Sequence, residues 1–120
     1  MKQHVKSIRP FIGALDYEKS QLFYKDLGFG VTVLNPGLSL VRWGEVSFYL
    51  QKYYTKDWVD NTMIFFEVEN VQDVWDELVA LELTKKYQSV RLTPIRTEDW
   101  GQECFLHDPS GILLHFGTFR

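Results

Sequence analysis

The sequence predicts an α+β fold built from two tandem modules, each with one strand, one helix and three further strands. The stretches 15–29 and 68–81 are versions of one unit, in which a helix-capping Asp16 or Asn70 precedes an amphipathic helix. Further strands and a glycine-containing hairpin follow each stretch, RWGEVSFYLQ in the first module and FLHDPSGILLHF in the second. The length of 120 residues suits one domain.

The duplication also predicts where a ligand binds. Each module alone would leave one sheet face and one helix stripe uncovered, so the two modules must pack together. Two curled mixed sheets paired in this way enclose a concave cleft, which is the default ligand site. We expect a single domain over 1–120, with module one at about 5–52, a crossover at 53–61 and module two at about 62–118.

In module one, we expect a first strand over about 5–15, which Pro10 interrupts because proline cannot donate a ladder hydrogen bond. Asp16 caps a helix with apolar residues at helical spacing, and Gly28 ends it. The strands that follow are predicted at 29–34, 38–42 and 45–51, separated by Asn-Pro-Gly and Trp-Gly turns.

In module two, we expect a strand over 63–68 and a helix that Asn70 caps. The remaining strands are predicted at 89–95, 102–107 and 112–117. The sequence Asp-Pro-Ser-Gly at 108–111 predicts a tight turn between the last two strands.

Composition narrows the class of function. The net charge of −3 argues against a nucleic-acid partner and suits a cationic small ligand. Aromatic residues make up 16% of the chain, and aromatic residues often line binding clefts, although core filling is the alternative. The single Cys104 fits a reducing compartment, and we see neither a signal peptide nor an apolar run long enough to span a membrane. We therefore expect a cytoplasmic protein.

Several side chains are candidates for the cleft. Trp100 lies in a polar loop before a glycine, where its ring could stack on a flat or cationic ligand or close over the core. Trp58 lies in the crossover and could form the cleft rim, a dimer contact or plain packing. If the alternate residues of the strand at 63–68 pack on the helix, Met63 and Phe65 line the cleft, and the same alternation places His115 inward.

A thiol site is a further hypothesis. A tight turn at 108–111 would place Cys104 directly across the hairpin from His115. A cysteine beside a histidine can form an activated thiolate, but no third orienting residue is evident in the sequence. The alternative is that His115 is an ordinary core group on a mostly apolar strand.

Three segments carry a family resemblance: LDYEKSQLFYKDLGF, LVRWGEVSFYL and EDWGQECFLHDPSGILLHF. In this order they resemble the glyoxalase, bleomycin resistance and extradiol dioxygenase superfamily, also called vicinal oxygen chelate, over about 9–116. Enzymes of that superfamily hold a divalent metal at four positions, which correspond here to Arg9, Met63, His115 and either Phe48 or Tyr49. Such side chains are poor ligands for a hard cation, so the resemblance implies a member with no metal and no cofactor.

Within the superfamily, the chain is most similar to the bleomycin resistance proteins. The resemblance implies a homodimer that exchanges its N-terminal strand about Pro10, with clefts between subunits that hold planar, cationic ligand groups. Trp100 matches a tryptophan that the family presents to the cleft, and Leu38 departs from the aromatic residue expected of a bleomycin binder. Arg9 could bind an anionic ligand group or pair with Glu67 or another acid at a dimer interface.

We therefore expect a metal-free binding protein that sequesters a planar or cationic natural product, as in antibiotic resistance. One alternative is a glyoxalase-like lyase or isomerase, or an antibiotic-modifying enzyme, with an unusual metal site formed by His115 with Glu67 or Glu103. Another alternative is an interaction module whose own aromatic residues close the cleft. The predicted ligand-binding residues are Trp100, Phe48, Met63, Phe65, His115, Trp58, Arg9 and Cys104.

Overall fold

The computed structural model describes all 120 residues and contains two four-stranded mixed sheets. Module one comprises β1 (Phe11–Gly13), α1 (Tyr17–Asp26), β2 (Gly30–Asn35), β3 (Leu38–Trp43) and β4 (Val46–Gln51), and its sheet has the order β1-β4-β3-β2. A short helix, α2 (Lys56–Asp60), follows it. Module two comprises β5 (Met63–Glu67), α3 (Val71–Leu81), α4 (Leu83–Lys86), β6 (Arg91–Glu98), β7 (Gly101–His107) and β8 (Leu113–Phe119), with the order β5-β8-β7-β6. The predicted α+β fold of two repeated modules is confirmed.

The two long helices begin where the sequence predicts. The side chain of Asp16 accepts a hydrogen bond from the backbone N–H of Lys19, and the side chain of Asn70 accepts one from Asp73. Both helices pack on their own sheets and meet in one shared core of 21 buried residues. None of the four helices has the length and apolar character needed to cross a membrane.

The first strand is much shorter than predicted. Only Phe11–Gly13 pairs with β4, in parallel, and residues 1–10 form an exposed arm. Pro10 contributes a carbonyl that accepts from the N–H of Tyr49, but it has no N–H with which to continue the ladder. Val5 and Ile8 in this arm are 82% and 91% exposed. The arm therefore carries apolar side chains that nothing in the chain covers.

Other departures from prediction also have local causes. The crossover contains α2, and β6 runs on to Glu98 with an irregular pairing between Thr93 and Arg96. Pro94 lies inside this irregularity, which is where a strand accommodates a residue without an N–H.

A buried carboxylate joins the two modules. Asp108, in the turn between β7 and β8, is fully buried, and its Oδ2 accepts a hydrogen bond from the hydroxyl of Tyr24 on α1 at 2.7 Å. Its Oδ1 accepts three more, from the backbone N–H groups of Ser110, Gly111 and Ile112. One side chain thus shapes the turn of module two and anchors it to the helix of module one.

The ionisation of Asp108 makes stability depend on pH. Burial raises the pKa of Asp108 to about 6, although its hydrogen bonds act in the opposite direction, and burial and Asp108 raise the pKa of Tyr24 well above its ordinary value. A pKa that is higher in the folded state favours folding at low pH, and this contribution is lost as the pH rises through about 6.

We expect Asp108→Asn to remove this dependence, because an amide can still accept from the turn and face Tyr24 but does not ionise. Between pH 4 and pH 7, the unfolding free energy of the wild type relative to Asp108→Asn should fall by about 3 kcal/mol. Urea unfolding of both proteins across this range measures the difference. A difference that stays constant or grows with pH would contradict the burial argument.

Candidate functional site

Each sheet has one face covered by helices and one face without a helix. In module one, Val41, Phe48 and Leu50 point to the helix side and are buried. Strand alternation therefore places the intervening residues on the uncovered side, which we call the A face. The A face carries Phe11, Leu40, Arg42, Ser47 and Tyr49, with Arg9 beside them.

The uncovered side of the second sheet is here called the B face. Leu106, Leu114 and Phe116 point to the helix side and are buried. The intervening residues therefore form the B face. It carries Met63, Phe65, Glu103, Phe105, His107, Leu113, His115 and Phe119.

Three aromatic rings form a platform at one end of the B face. Phe65 lies 6.0 Å from Trp100 and 5.6 Å from Phe119 between ring centroids, and Trp100 lies 5.3 Å from Phe119. Phe65, Trp100 and Phe119 remain 41%, 37% and 54% exposed, respectively. We call this set the aromatic platform. Rings that contact one another yet stay open to solvent present a surface on which a flat ligand can stack.

Two glycines allow the platform to form. A Cβ atom on Gly117 would lie 2.4 Å from the ring of Phe65, so the ring can cross the strand only because residue 117 has no side chain. Gly101, next to Trp100, has a φ of +157°, and a Cβ there would lie 2.0 Å from the carbonyl oxygen of Thr118. The close approach of backbone and rings at these two positions therefore requires glycine.

His115 connects the platform to a polar group. Its ring lies 5.9 Å from Phe65 and 4.9 Å from Phe105. Its Nδ1 lies 2.9 Å from Oε1 of Glu103, and its Nε2 lies 3.1 Å from Sδ of Met63. The side chains of His115 and Glu103 are 17% and 13% exposed, so the pair is mostly shielded from water. The B face thus combines aromatic rings in tilted and edge-on contact with one oriented imidazole.

The A face has a smaller cluster. The guanidinium of Arg9 donates to Ser47 Oγ at 3.0 Å and to the Tyr49 hydroxyl at 3.1 Å. The ring of Tyr49 contacts that of Phe11 in a tilted arrangement, with 4.8 Å between centroids. Arg9 makes no ion pair, so neither Glu67 nor any other acid of the chain holds it. No hydrogen bond or aromatic contact joins this cluster to the aromatic platform.

An acidic groove adjoins the platform. It has a volume of about 800 Å³ and runs between the start of β4 and the β5–α3 segment. Phe65 belongs both to its lining and to the platform. No lysine or arginine lines it, and its carboxylates are Glu67, Glu69, Asp73 and Glu77. This charge pattern favours a cationic occupant.

The structure brings together half of the predicted ligand-binding residues. Met63, Phe65, Trp100 and His115 share the B face. Arg9 lies apart on the A face. Trp58 is in neither cluster; on α2, its ring lies 5.8 Å from Tyr53. Phe119 was not predicted as a site residue, because the last strand was expected to end at residue 117. Continued alternation from His115 places Phe119 on the B face as well.

Cys104 is a correction to the predicted set, because it points to the helix side and is fully buried. Phe48 also points to the helix side, where it packs on Tyr24 and Phe66, but it lines the acidic groove. Of the two registers considered for the fourth superfamily position, the structure places Tyr49 on the uncovered side.

The predicted pairing of Cys104 with His115 is wrong. Cys104 lies opposite Phe116, and it is Phe105 that faces His115. The turn is one residue longer than predicted, because the Asp108 carboxylate holds the N–H groups of residues 110–112 and β8 begins at Leu113. Burial and the neighbouring Glu103 raise the pKa of the Cys104 thiol to about 11, so an activated thiolate has no basis here.

The four superfamily metal positions do not fit a hard divalent cation. They hold a guanidinium at Arg9, a phenol at Tyr49, a thioether at Met63 and an imidazole at His115. The first two are already hydrogen bonded to each other, and only the imidazole is a common ligand for zinc or iron. Nor does the chain contain a group of three or more His, Cys, Asp and Glu side chains spaced to hold a metal.

Compared by sequence, the chain matches no protein family and no curated protein. Solved structures do resemble it. A bleomycin resistance determinant encoded on transposon Tn5 is 16% identical, with a TM-score of 0.80 over 97% of this chain and 99% of that one. The bleomycin-binding protein of Streptomyces verticillus, complexed with copper(II)-bleomycin, is 20% identical, with a TM-score of 0.80 over the whole of both chains.

An enzyme also shares the fold. The lactoylglutathione lyase of Agrobacterium tumefaciens is 15% identical, with a TM-score of 0.69 over 96% of this chain and 95% of that one. At such identities these likenesses show the fold alone. The resemblance seen in the sequence motifs is therefore confirmed at the level of the fold, which this chain shares with the two bleomycin-related proteins and with the lyase.

The position of Cys104 makes a direct prediction. Because the thiol is buried and its pKa is raised to about 11, we expect it to react with Ellman's reagent only when the protein unfolds. The reaction rate in buffer and in denaturant measures this. Fast, stoichiometric labelling of the native protein at pH 7 would show that the thiol is accessible and would reopen the thiol hypothesis.

Proposed function

We propose that this protein binds a planar or cationic natural product, with no metal of its own, and sequesters it without chemical change. The observation that carries the proposal is the aromatic platform of Phe65, Trp100 and Phe119, which is preassembled and open to solvent. The likeness to bleomycin-binding structures supports the same class of function.

The platform alone cannot account for tight binding. Three aromatic contacts at about 0.5–1.5 kcal/mol each contribute about 1.5–4.5 kcal/mol beyond the burial of area. A micromolar dissociation constant corresponds to about −8 kcal/mol. The ligand must therefore make further contacts, and the chain offers two surfaces for them.

The acidic groove is the first of these surfaces. Phe65 links it to the platform, so a ligand that stacks on the rings can extend a cationic arm into the groove. Four carboxylates with no lysine or arginine among the lining residues provide a favourable potential for that arm. This arrangement selects molecules with a flat portion and a separate positive charge.

The second surface is the A face of another copy of the chain. The B face has no cover in its own chain, and the N-terminal arm leaves its own module at Pro10 with Val5 and Ile8 exposed. A homodimer that exchanges these arms would bury the apolar side chains. It would also bring Tyr49 and Phe11 of one copy over the platform of the other, which completes a cleft between subunits.

Sequestration needs no catalytic group. Cys104 is inert in the core, and His115 is held between Glu103 and Met63 with no further acid, base or nucleophile in contact. The protein would act stoichiometrically, by covering the flat part of the ligand and keeping it from its target. We propose a cytoplasmic location, because a single free cysteine suits a reducing compartment.

A second candidate function is a glyoxalase-like lyase or an antibiotic-modifying enzyme with a non-standard metal site. The shared fold with a lactoylglutathione lyase and the shielded pair of His115 and Glu103 favour it. Recovery of the ligand unchanged after prolonged incubation, followed by mass spectrometry, supports sequestration. Conversion of many ligand equivalents per chain would support the enzyme.

The proposal predicts the outcome of a tryptophan-fluorescence titration with bleomycin, metal-free and copper-loaded. We expect saturable quenching at about one ligand per chain with a micromolar or tighter dissociation constant. Trp100→Ala should weaken binding by about 1–3 kcal/mol, which is about 5- to 150-fold, because a stacking ring is lost.

Trp58→Ala is the matched control, since Trp58 and Trp100 are both 37% exposed but only Trp100 belongs to the platform. Its affinity should equal that of the wild type. Equal losses in both variants would contradict the assignment of the site. Absence of any response would remove bleomycin and direct the search to other planar cations.

A further inference from the structure

The cross-strand pair of Arg91 and His107 has hydrogen-bond donors but no acceptor in the chain. Arg91 on β6 lies directly opposite His107 on β7. Opposing residues of an antiparallel pair share one face and have Cβ atoms about 4.5–5.5 Å apart, so both side chains belong to the B face. No acid lies within ion-pair distance of the Arg91 guanidinium, which is exposed to solvent.

The tautomer of His107 follows from its buried nitrogen. Nδ1 is shielded from water and has no hydrogen-bond partner, whereas Nε2 reaches solvent. Burial and then the charges of Arg91 and His115 lower the pKa of His107, so the ring is neutral at pH 7 and carries one proton. Among buried backbone groups, an N–H without a partner is rarer than an under-satisfied carbonyl, and the same preference assigns the proton to Nε2. His107 thus offers one N–H on its open side.

The acids of β6 and β7 are engaged elsewhere. The acid of β6 is Glu98, whose Oε1 lies 3.7 Å from Nε of Arg96. The acid of β7 is Glu103, whose Oε1 lies 2.9 Å from Nδ1 of His115. Asp108 follows β7 but its carboxylate is occupied by the turn and by α1. One free guanidinium and one free imidazole N–H therefore lie side by side, and both can donate to the same oxyanion.

This pair lies at the end of β7 away from Trp100, yet within reach of the aromatic platform. Residues 65, 115 and 105 form one rung across β5, β8 and β7, and His107 is two residues further along β7. With strands about 4.8 Å apart and a rise of about 3.4 Å per residue, Phe65 and His107 are about 12 Å apart. A single extended ligand can therefore contact the platform and the pair together.

We infer that Arg91 and His107 form an oxyanion site, which binds a carboxylate, sulfate or phosphate group of a ligand whose flat portion lies on the platform. This inference rests on the proposed function and specifies its ligand class. The planar guanidinium matches two oxygens of such a group, and Nε2–H of His107 adds a donor beside it. The preferred ligand carries a flat group and, about 12 Å from it, a negative charge, in addition to any cationic arm in the acidic groove.

The test compares 1-pyrenebutyrate with 1-pyrenebutanol, which share a flat ring and a linker and differ in the negative charge at the end of the linker. We expect the wild type to bind the butyrate at least tenfold more tightly, about 1.4 kcal/mol. Quenching of tryptophan fluorescence gives both affinities. A buffer of low ionic strength limits the screening of the charge interaction.

The variants separate the oxyanion site from the stacking surface. Arg91→Gln and His107→Phe should each remove the preference for the butyrate and leave the affinity for the butanol unchanged. His107→Phe should not weaken folding, because an apolar atom replaces the unsatisfied Nδ1. Arg96→Gln is the matched control: it removes the same charge from the same strand, but Arg96 faces Glu98 rather than His107. This variant should keep the preference.

A second measurement detects the oxyanion site without a stacking ligand. Sodium acetate or sodium sulfate is titrated into the wild type while NMR follows the imidazole signals of His107, with sodium chloride at equal ionic strength as the control. We expect saturable shifts in the millimolar range for at least one of the two oxyanions, and the stronger response identifies the preferred group. The same shifts should be absent in Arg91→Gln.

Failure of the oxyanion site is distinguishable from failure of the proposed function. Equal affinities for the two pyrene probes, with no saturable shift of His107, would overturn the oxyanion site and leave stacking intact. Loss of the preference in Arg96→Gln but not in Arg91→Gln would also overturn it. Saturable shifts of His107 without binding of either pyrene probe would support the oxyanion site and contradict the platform as a ligand surface.

Discussion

The architecture of this chain depends on the buried carboxylate of Asp108. Its Oδ1 gathers three backbone N–H groups of the turn and its Oδ2 receives the hydroxyl of Tyr24, so every oxygen is engaged although the side chain is shielded from water. Four hydrogen bonds to the carboxylate offset part of its desolvation cost, and the part that remains is the reason its pKa is raised to about 6. The same four bonds determine the length of the turn and the position of module two against α1.

The length of the turn between β7 and β8 determines the chemistry of the B face. One residue less between β7 and β8 would pair Cys104 with His115 and give a thiol beside an imidazole. The longer turn instead pairs Phe105 with His115 and buries Cys104 against Phe116. The result is a face suited to stacking and to one oriented imidazole, with no nucleophile in reach. The length of one turn therefore decides which side chain lies opposite His115.

Sequence patterns were enough to predict the helices and strands and their order along the chain, because helix caps, glycines and hydrophobic periodicity are local signals. Asp16 and Asn70 cap helices as predicted, and Met63 and Phe65 alternate against the helix-facing Ile64 as predicted. The register of β7 and β8 could not be obtained in this way, since the turn sequence does not show that the Asp108 carboxylate accepts from the N–H groups of residues 110–112 and so lengthens the turn by one residue.

The candidate site was predictable only in part, because local sequence signals mark some of its residues and not others. The rings of Phe65 and Trp100 were evident from alternation and loop composition, but their contact with Phe119 depends on the end of β8, which no local signal marks. The strand predicted over 5–15 forms only at Phe11–Gly13; Pro10 indicates an interruption, but the sequence does not show that residues 1–10 pair with no strand of their own chain.

The central claim is that the ligand lies between the A face of one copy and the B face of another. Mixing two binding-deficient variants tests it most directly: Tyr49→Ala on the A face and Trp100→Ala on the B face, unfolded and refolded together in equal amounts, with bleomycin as the probe. In a symmetric dimer, half of the molecules are heterodimers with one intact cleft, so about one quarter of all sites should recover wild-type affinity. Recovery of no sites, with both variants folded by circular dichroism, would show that each cleft forms within one chain and would contradict the account.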